Sequence, residues 1–449
     1  MKRINISETT KYIGKKVKVC GWVHSRRDHG KITFIDLRDR SGLLQVVFIK
    51  IKDADKLRTE WVVEIEGMIN KRPSGMINKE LETGTVELKV EKLNILNEAE
   101  TPVFEITEDS KKIKEEIRLK YRYLDLRTKR MKNNLILRHK VIKTIRDYFD
   151  KKEFIEIETP ILTKSTPEGA RDFLVPSRLH AGEFYALPQA PQQLKQLLMV
   201  SGMEKYFQIA RCFRDEDLRG DRQPEFTQLD VEMSFPTQEE ILKLIEDLMI
   251  QIAKDCKKKL TFNPFKVMTY NEVIKKHKTD SPDLRKNKKD PNELAFVWII
   301  DWPLFEYNKD EKTWDPCHHV FTAPKGELKD PKKIKSWQHD LVLNGNEIAG
   351  GSIRIHDPKI QRKVFELVGL TKKQIDEKFG HLLKAFQYGT PPHGGIAMGI
   401  DRLIMLLAGE ETIREVIAFP KTGDGRDLTM EAPSEVETKQ LKELHIKKD

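Results

Sequence analysis

Residues 213–217 read Phe-Arg-Asp-Glu-Asp, and residues 222–232 read Arg-Gln-Pro-Glu-Phe-Thr-Gln-Leu-Asp-Val-Glu. Arginines and carboxylates alternate there with apolar and aromatic residues, a pattern that fits two strands joined by a charged loop. Such a unit can hold an anion and a cation together, because arginine forks grip phosphate or carboxylate oxygens while acids orient the forks or bind ammonium groups. A salt-bridged hairpin face would have the same composition, so the reading depends on what else the chain carries.

Two distant segments bear on it. Gly394-Gly395-Ile396-Ala397-Met398-Gly399-Ile400-Asp401-Arg402 runs into the apolar, helix-like Leu403–Leu407. A glycine-rich turn lets backbone approach a flat ligand, and Arg402 at the mouth of a helix can meet a phosphate tail. No Lys-Ser or Lys-Thr follows these glycines, which excludes the common phosphate loop, and the spacing is not the dinucleotide fingerprint. Phe154-Ile155-Glu156-Ile157-Glu158-Thr159-Pro160 follows an amphipathic helix expected over Asn133–Lys152. A long helix, a strand and a proline-fixed end suit a dimer element or, equally, an ordinary core helix and strand.

Taken in chain order, the segments beginning at Phe154, Phe213 and Gly394 resemble motifs 1, 2 and 3 of the class II aminoacyl-tRNA synthetases. Thr-Pro-Glu-Gly-Ala-Arg-Asp at 166–172, Gln-Ala-Pro-Gln-Gln-Leu-Lys at 189–195, Gly-Gly-Ser-Ile-Arg at 350–354 and Tyr-Gly-Thr-Pro-Pro-His at 388–393 narrow the resemblance to the aspartyl-tRNA synthetases of the bacterial type. It runs from Val17 to Ile446 with one large gap.

Composition agrees. A chain of 449 residues predicts two or three domains. Lysine plus arginine outnumber aspartate plus glutamate by 81 to 71, for a net charge of +10, which suits a polyanionic partner or a lysine-rich solvated surface. Cys20, Cys212, Cys256 and Cys317 are scattered without paired spacing, which points to a reducing compartment and away from a disulfide frame or zinc knuckle. Cys317-His318-His319 places neighbours on opposite sides of an extended chain, against metal ligation. No stretch reaches membrane-span length and the amino terminus lacks a signal-peptide core, so a cytoplasmic location is expected.

Segments near Val17–Arg27, Lys31–Arg40, Gly42–Ile49, Trp61–Arg72 and Thr85–Leu96 are strand-like, which predicts a closed five-stranded barrel of the oligonucleotide-binding type within residues 1–100. Residues 101–132 are highly charged, with residues 111–118 reading as a solvated helical linker. Over 133–449 helices alternate with strand pairs, as in a class II catalytic domain with an antiparallel sheet flanked by helices; the fold class is α+β. Lys254–Lys259 and Lys275–Lys289 are basic runs that read as exposed loops.

The resemblance implies ligation of L-aspartate to tRNA through an aspartyl-adenylate, with ATP as co-substrate. It assigns Arg214 to the α-phosphate and the substrate carboxylate, Glu216 to orienting nearby groups, and Arg402 to the γ-phosphate. Asp215, Gln223, Gly399, Ile400, Asp401 and Glu347 complete the nucleotide set. Asp340 and Glu347 would bind Mg2+ through hard oxygens, whereas spacing alone reads them as unrelated surface acids. Lys195 and Arg354 match the cations around the substrate side chain, with Asp230 bracing them, because an unpaired buried carboxylate would be costly. Glu168 and Gln192 match the contacts to the amino group, and His318 the loop over the amino acid. A homodimer through the segment around Pro160 is likewise implied.

For the barrel the resemblance implies anticodon binding by Arg27, Phe34 and Gln45: a cation, an aromatic platform and a base-edge amide. From spacing, Phe34 is equally a core aromatic. His29 and Gly75 stand where the family's enzymes that charge both tRNA-Asp and tRNA-Asn tend to carry histidine and glycine, so both tRNAs are expected as partners, with tRNA-Asp alone as the alternative. Three departures accompany the match. Ala190 replaces a common serine, Ala349 replaces a glycine, and the extra domain of bacterial relatives is missing near 286–295, where a short lysine-rich link remains. An asparaginyl enzyme is disfavoured by Lys195 with Arg354, a tRNA-free paralogue by the barrel, and a non-catalytic descendant by Arg214, Glu347 and Arg402.

Overall fold

In the computed structural model residues 1–106, 110–165, 169–310 and 312–447 are described. The chain divides into two compact units, Met1–Lys114 and Glu115–Asp449.

In the first unit β1 (Lys16–His29), β2 (Ile32–Asp39), β3 (Gly42–Ile49), β4 (Val62–Lys71) and β5 (Val86–Asn97) close a barrel in the order β1-β2-β3-β5-β4. Period-2 alternation builds it. Ile35 and Leu37 of β2, Leu44, Val46 and Phe48 of β3, and Val63, Ile65 and Ile69 of β4 point inward to one core. Parallel pairing of Val46 with Leu88 and Val47 with Lys89 joins β3 to β5. This is the oligonucleotide-binding barrel that the strand spacing predicts.

The second unit is built on an eight-stranded sheet. Its strands are β6 (Ile155–Glu156), β7 (Lys205–Phe213), β8 (Glu225–Ser234), β9 (Lys266–Thr269), β10 (Phe296–Ile300), β11 (Gln338–Leu343), β12 (Asn346–Ile353) and β13 (His393–Gly399). They lie in the order β9-β10-β11-β12-β13-β8-β7-β6, with parallel pairs at the two margins and antiparallel pairs between. Helices α1 (Lys129–Lys151), α3 (Gln238–Asp255) and α4 (Ile400–Ala408) cover one face, where Ile145, Phe149, Ile245, Leu248, Leu403 and Leu407 join Leu229 and Val231 of β8 in a single core. The shorter α2 (Gln192–Val200) carries Gln192 and Lys195. Burying Leu229 and Val231 against the helices turns Gln228, Asp230 and Glu232 to the opposite face, and that face carries the cleft.

Three local readings change. The helix expected from Asn133 starts at Lys129, because the Thr128 hydroxyl accepts a hydrogen bond from the Met131 amide at 3.3 Å and caps it. The Gly394–Gly399 segment is a strand, β13, rather than a turn, and its glycines answer crowding: a Cβ on Gly395 would lie 2.0 Å from the Val231 carbonyl and 2.2 Å from a Glu232 carboxylate oxygen. Arg118, read as part of a solvated linker, is buried. It pairs with Glu415 at 2.8 Å, while Arg130 reaches Glu415 at 2.8 Å and Arg122 reaches Asp125 at 2.7 Å. Burial alone would raise the Glu415 carboxyl, yet Arg118 and Arg130 outweigh it and hold it at about 2.

Candidate active site

Two cavities adjoin on the exposed side of the central strands. The first, about 410 Å³, is lined by residues that include Gln192, Asp230, His318, His319, Gln338 and Arg354. The second, about 310 Å³, is lined by residues that include Asp221, Gln223, Phe226, Gly399, Asp401 and Arg402. Arg214, Glu216, Gln228, Glu347, Gly350 and Ala397 face both, so the two form one cleft with a shared wall.

Beneath the first cavity lies a buried charge cluster. Lys195 Nζ is 2.8 Å from Asp230 and 3.2 Å from Glu232, and Arg354 Nε is 3.1 Å from Glu232, all with side chains essentially closed to solvent. Arg354 also donates to the Ser352 hydroxyl at 2.9 Å and faces His319 Nε2 at 2.7 Å. Burial raises the Asp230 carboxyl above its ordinary range despite Lys195. Burial would raise Glu232 too, but Arg354 and then Lys195 outweigh it and hold the group ionised. Two cations and two carboxylates thus share a floor closed to solvent. Arg354 lines the cavity, whereas Lys195 lies behind the wall. Among the described residues Asp230 lacks a well-directed hydrogen bond on either oxygen, and the Gln192 side-chain amide nitrogen is likewise buried without a partner; both residues line the first cavity.

On the shared wall the Arg214 guanidinium lies 5.0 Å from the Phe226 ring centroid and, among the described residues, pairs with no carboxylate. Asp340 and Glu347 converge above Gly350: a Cβ there would lie 3.0 Å from Asp340 Oδ1 and 3.5 Å from Glu347 Oε1. The register steps from Leu341↔Ala349 to Val342↔Glu347, leaving Ile348 as the extra residue of a bulge beside Glu347. Asp340 accepts from the Gln338 amide at 2.7 Å and lies 2.8 Å from His318 Nε2. Burial lowers the His318 imidazole, but Asp340 outweighs it and holds the ring above its ordinary value. Arg402 donates to Asp221 at 2.9 Å and to the Glu347 carbonyl.

The family described as tRNA synthetases class II (D, K and N) matches residues 114–423, and the one described as OB-fold nucleic acid binding domain matches residues 17–96. The chain belongs to the class II tRNA synthetases. Relatives include proteins named Aspartate–tRNA(Asp/Asn) ligase from Natranaerobius thermophilus, 43% identical over 98% of each chain, and from Halothermothrix orenii, 44% identical over 98% of this chain and 97% of the relative. A protein named Aspartate–tRNA ligase from Staphylococcus carnosus is 40% identical over 98% of each. The match to the first relative spans 573 aligned positions against a chain of 449 residues, so that relative carries a long stretch with no counterpart here. Among solved structures, asparaginyl-tRNA synthetase from Pyrococcus horikoshii (TM-score 0.75, 22% identity, 94% and 98% of the chains) and aspartyl tRNA synthetase from Entamoeba histolytica (TM-score 0.75, 22%, 94% and 91%) share the fold.

Within this synthetase the remaining expected residues are placed unevenly. Gln223 faces the second cavity, but its amide is taken up by the Lys421 backbone, at 3.0 Å to the carbonyl and 2.7 Å from the amide. Asp401 is engaged by Arg138 and by the Thr227 amide at 2.8 Å. Ile400 is wholly buried in the core and lines neither cavity, and Gly399 is the cap of α4. Asp215 also lines neither cavity; its backbone bridges to Arg171. Glu168 lies outside the described residues. Sequence reasoning misses Glu232, Asp221, His319 and Gln338. For Glu232 the signal is present, since it continues the 228, 230, 232 alternation of β8; Asp221 and Gln338 have no such pattern.

On the barrel, Phe34 pairs with Arg27 and Val47 across the strands and is left out of the core that holds Ile35 and Leu37, so its ring faces outward, 5.7 Å from the His29 ring centroid. Arg27 reaches Asp36 at 3.0 Å. Gln45 is held by Glu87 at 3.0 Å and Arg72 at 2.9 Å. Gly75 lies exposed in the short helix Ser74–Met76 with ordinary φ, so this conformation does not demand glycine.

Glu347 titrates near neutrality in the cleft. Burial first, and Asp340 second, raise it to about 7 from an ordinary 4.5. The folded state therefore binds this proton more tightly than the unfolded chain. The linked stabilisation is full below about 4.5 and is lost as pH rises through about 7. Glu347→Gln is expected to abolish that loss: in metal-free buffer the wild-type melting temperature falls relative to the variant's across this window, and parallel curves would contradict the assignment.

Proposed function

We propose that the chain ligates L-aspartate to tRNA in two steps that consume ATP. Arg214 carries this reading: a guanidinium with no ion pair among the described residues, on the wall between a chamber floored by Arg354 and a glycine-edged one, can touch an amino-acid carboxylate and a nucleotide α-phosphate at once.

In the first chamber Arg354, with Lys195 behind it, receives the β-carboxylate of aspartate. Asp230, whose oxygens have spare acceptor capacity, faces the α-ammonium group with Gln192 beside it, and His318 borders the chamber. In the second chamber Arg402 holds the terminal phosphate, while Gln223 and Asp401 act by fixing the backbone around the nucleotide. The α-carboxylate oxygen then bonds to the α-phosphorus as the bond to the bridging oxygen breaks and pyrophosphate leaves. The terminal ribose hydroxyl of tRNA next attacks the acyl carbon of the adenylate and AMP departs. Neither step needs a protein nucleophile; alignment and charge neutralisation suffice. Two buried acids facing each other over Gly350, one of them held protonated up to about 7, fit a hard cation. Asp340 and Glu347 would hold Mg2+, which when bound would neutralise phosphate charge.

The outward Arg27 and Phe34 suit single-stranded RNA, with Phe34 as the stacking platform, and Gln45, buried and held by Glu87 and Arg72, would have to exchange those partners to read a base. Exposed Ile155, Ile161 and Leu162 around Pro160 suit a homodimer contact, and four cysteines scattered without paired spacing suit the cytoplasm. His29 and Gly75, with the Asp/Asn names of the Natranaerobius and Halothermothrix relatives, favour relaxed tRNA choice. Aspartate-dependent ATP–pyrophosphate exchange tests the activation step, and exchange must be absent without aspartate. Charging assays are expected to yield aspartyl-tRNA on both tRNA-Asp and tRNA-Asn. Product on tRNA-Asp alone would leave the discriminating alternative.

A further inference from the structure

The two basic runs of the sequence meet in space. Lys259 and Leu260 pair in parallel with Glu293 and Leu294, the Lys259 amide donates to the Asn292 carbonyl at 2.8 Å, and Lys258 Nζ donates to the Pro291 carbonyl at 3.1 Å. The end of α3 is thereby joined to the short link that stands where relatives are expected to carry additional sequence. Lys254, Lys257, Lys259, Lys286, Lys288 and Lys289 are all exposed there, and among the described residues none forms an ion pair.

The interspersed acids offset that charge only in part: Asp255, Asp290 and Glu293 form no ion pair with these lysines among the described residues and are outnumbered by them. Asp255 accepts from the Thr144 hydroxyl and the Gln251 amide, Asp290 from the Asn292 amide, and Glu293 is held ionised by the Lys286 and Asn287 backbone amides at 2.9 and 2.8 Å. Exposed lysines elsewhere do pair, such as Lys143 with Asp147 at 2.6 Å. The link lies against the turn that precedes Glu347, although none of its residues lines either cavity. Asn344, in the turn between β11 and β12, donates to the Glu293 carbonyl at 2.9 Å, and Gly345 packs on Asp283, just ahead of Glu347. No large hydrophobic side chain is exposed among residues 254–260 or 275–293, so the surface offers charge without the apolar anchors that protein partners or membrane insertion use.

We propose that this lysine surface docks the phosphodiester backbone of tRNA beside the cleft, independently of sequence. The inference rests on the tRNA-ligase reading above, and its test separates the two. The full-length triple variant Lys286→Gln, Lys288→Gln, Lys289→Gln is expected to keep aspartate-dependent ATP–pyrophosphate exchange at the wild-type rate. Its affinity for transcribed tRNA-Asp should fall on the order of tenfold at about 0.1 M salt, and the slope of log affinity against log salt should become shallower by about 0.7–0.9 for each phosphate that is no longer neutralised. A control triple at exposed Lys363, Lys372 and Lys373 should leave both unchanged. An unchanged affinity and salt slope in the link variant, or an equal fall in the control, overturns the proposal while exchange still supports the ligase reading. Absence of exchange in the unsubstituted chain would defeat that reading itself, and with it the proposal.

Discussion

Replacing Arg214 with alanine is expected to cut aspartate-dependent ATP–pyrophosphate exchange by a factor of about 10²–10³ or more, the range seen when one preorganised charge donor is removed from a transition state. The melting temperature should hardly move. Arg214 makes no ion pair among the described residues, and its stacking on Phe226 contributes only about 1 kcal/mol. Arg214→Lys should recover little, because an ammonium cannot bridge two oxygens in one plane as a guanidinium does. Exchange within about tenfold of wild type in the alanine variant would mean that the shared wall is not where the carboxylate meets the phosphate.

The second large effect is structural. Arg354→Met removes the Nε donor 3.1 Å from Glu232 and leaves that carboxylate buried with Lys195 alone. The expected destabilisation is about 3–5 kcal/mol, read as a lower melting temperature. Glu232→Leu in the Arg354→Met background should recover part of it, since the stranded charge is then gone. The single variant should also lose aspartate activation, because a β-carboxylate would enter without its cation. A wild-type melting temperature in Arg354→Met would show that the cluster does not hold the floor of the first cavity.

These two residues differ in how far the sequence can reach them. Arg214 is flagged by its surroundings in the chain, a charged run between strands, and the structure places it on the wall where two cavities meet. Arg354 is reached only through resemblance. Its partner Glu232 lies in the same charged run as Asp230 but gains a role only from the fold, although the alternation of Gln228, Asp230 and Glu232 against Leu229 and Val231 already puts all three on one face. Asp340 and Glu347 are unreadable from spacing, because the bulge at Ile348 and the sheet pairing bring them over Gly350. Phe34 is evenly balanced until the register shows Ile35 and Leu37 inside the barrel. Ile400 and Asp215 illustrate the opposite failure: a residue within a binding motif need not face the ligand, since Ile400 closes the core and Asp215 bridges to Arg171.

The sequence by itself determined the five-stranded barrel, the strand-loop-strand around Arg214 and the family, because period-2 alternation and short motifs are local properties that the backbone must obey wherever it folds. Only the tertiary structure decided which charges are buried together, that Arg214 forms no ion pair among the described residues, and that two lysine runs separated in the chain form one surface. Those outcomes depend on long-range strand order and on the competition of every carboxylate for its nearest donor, and neither is encoded in the spacing of any single segment.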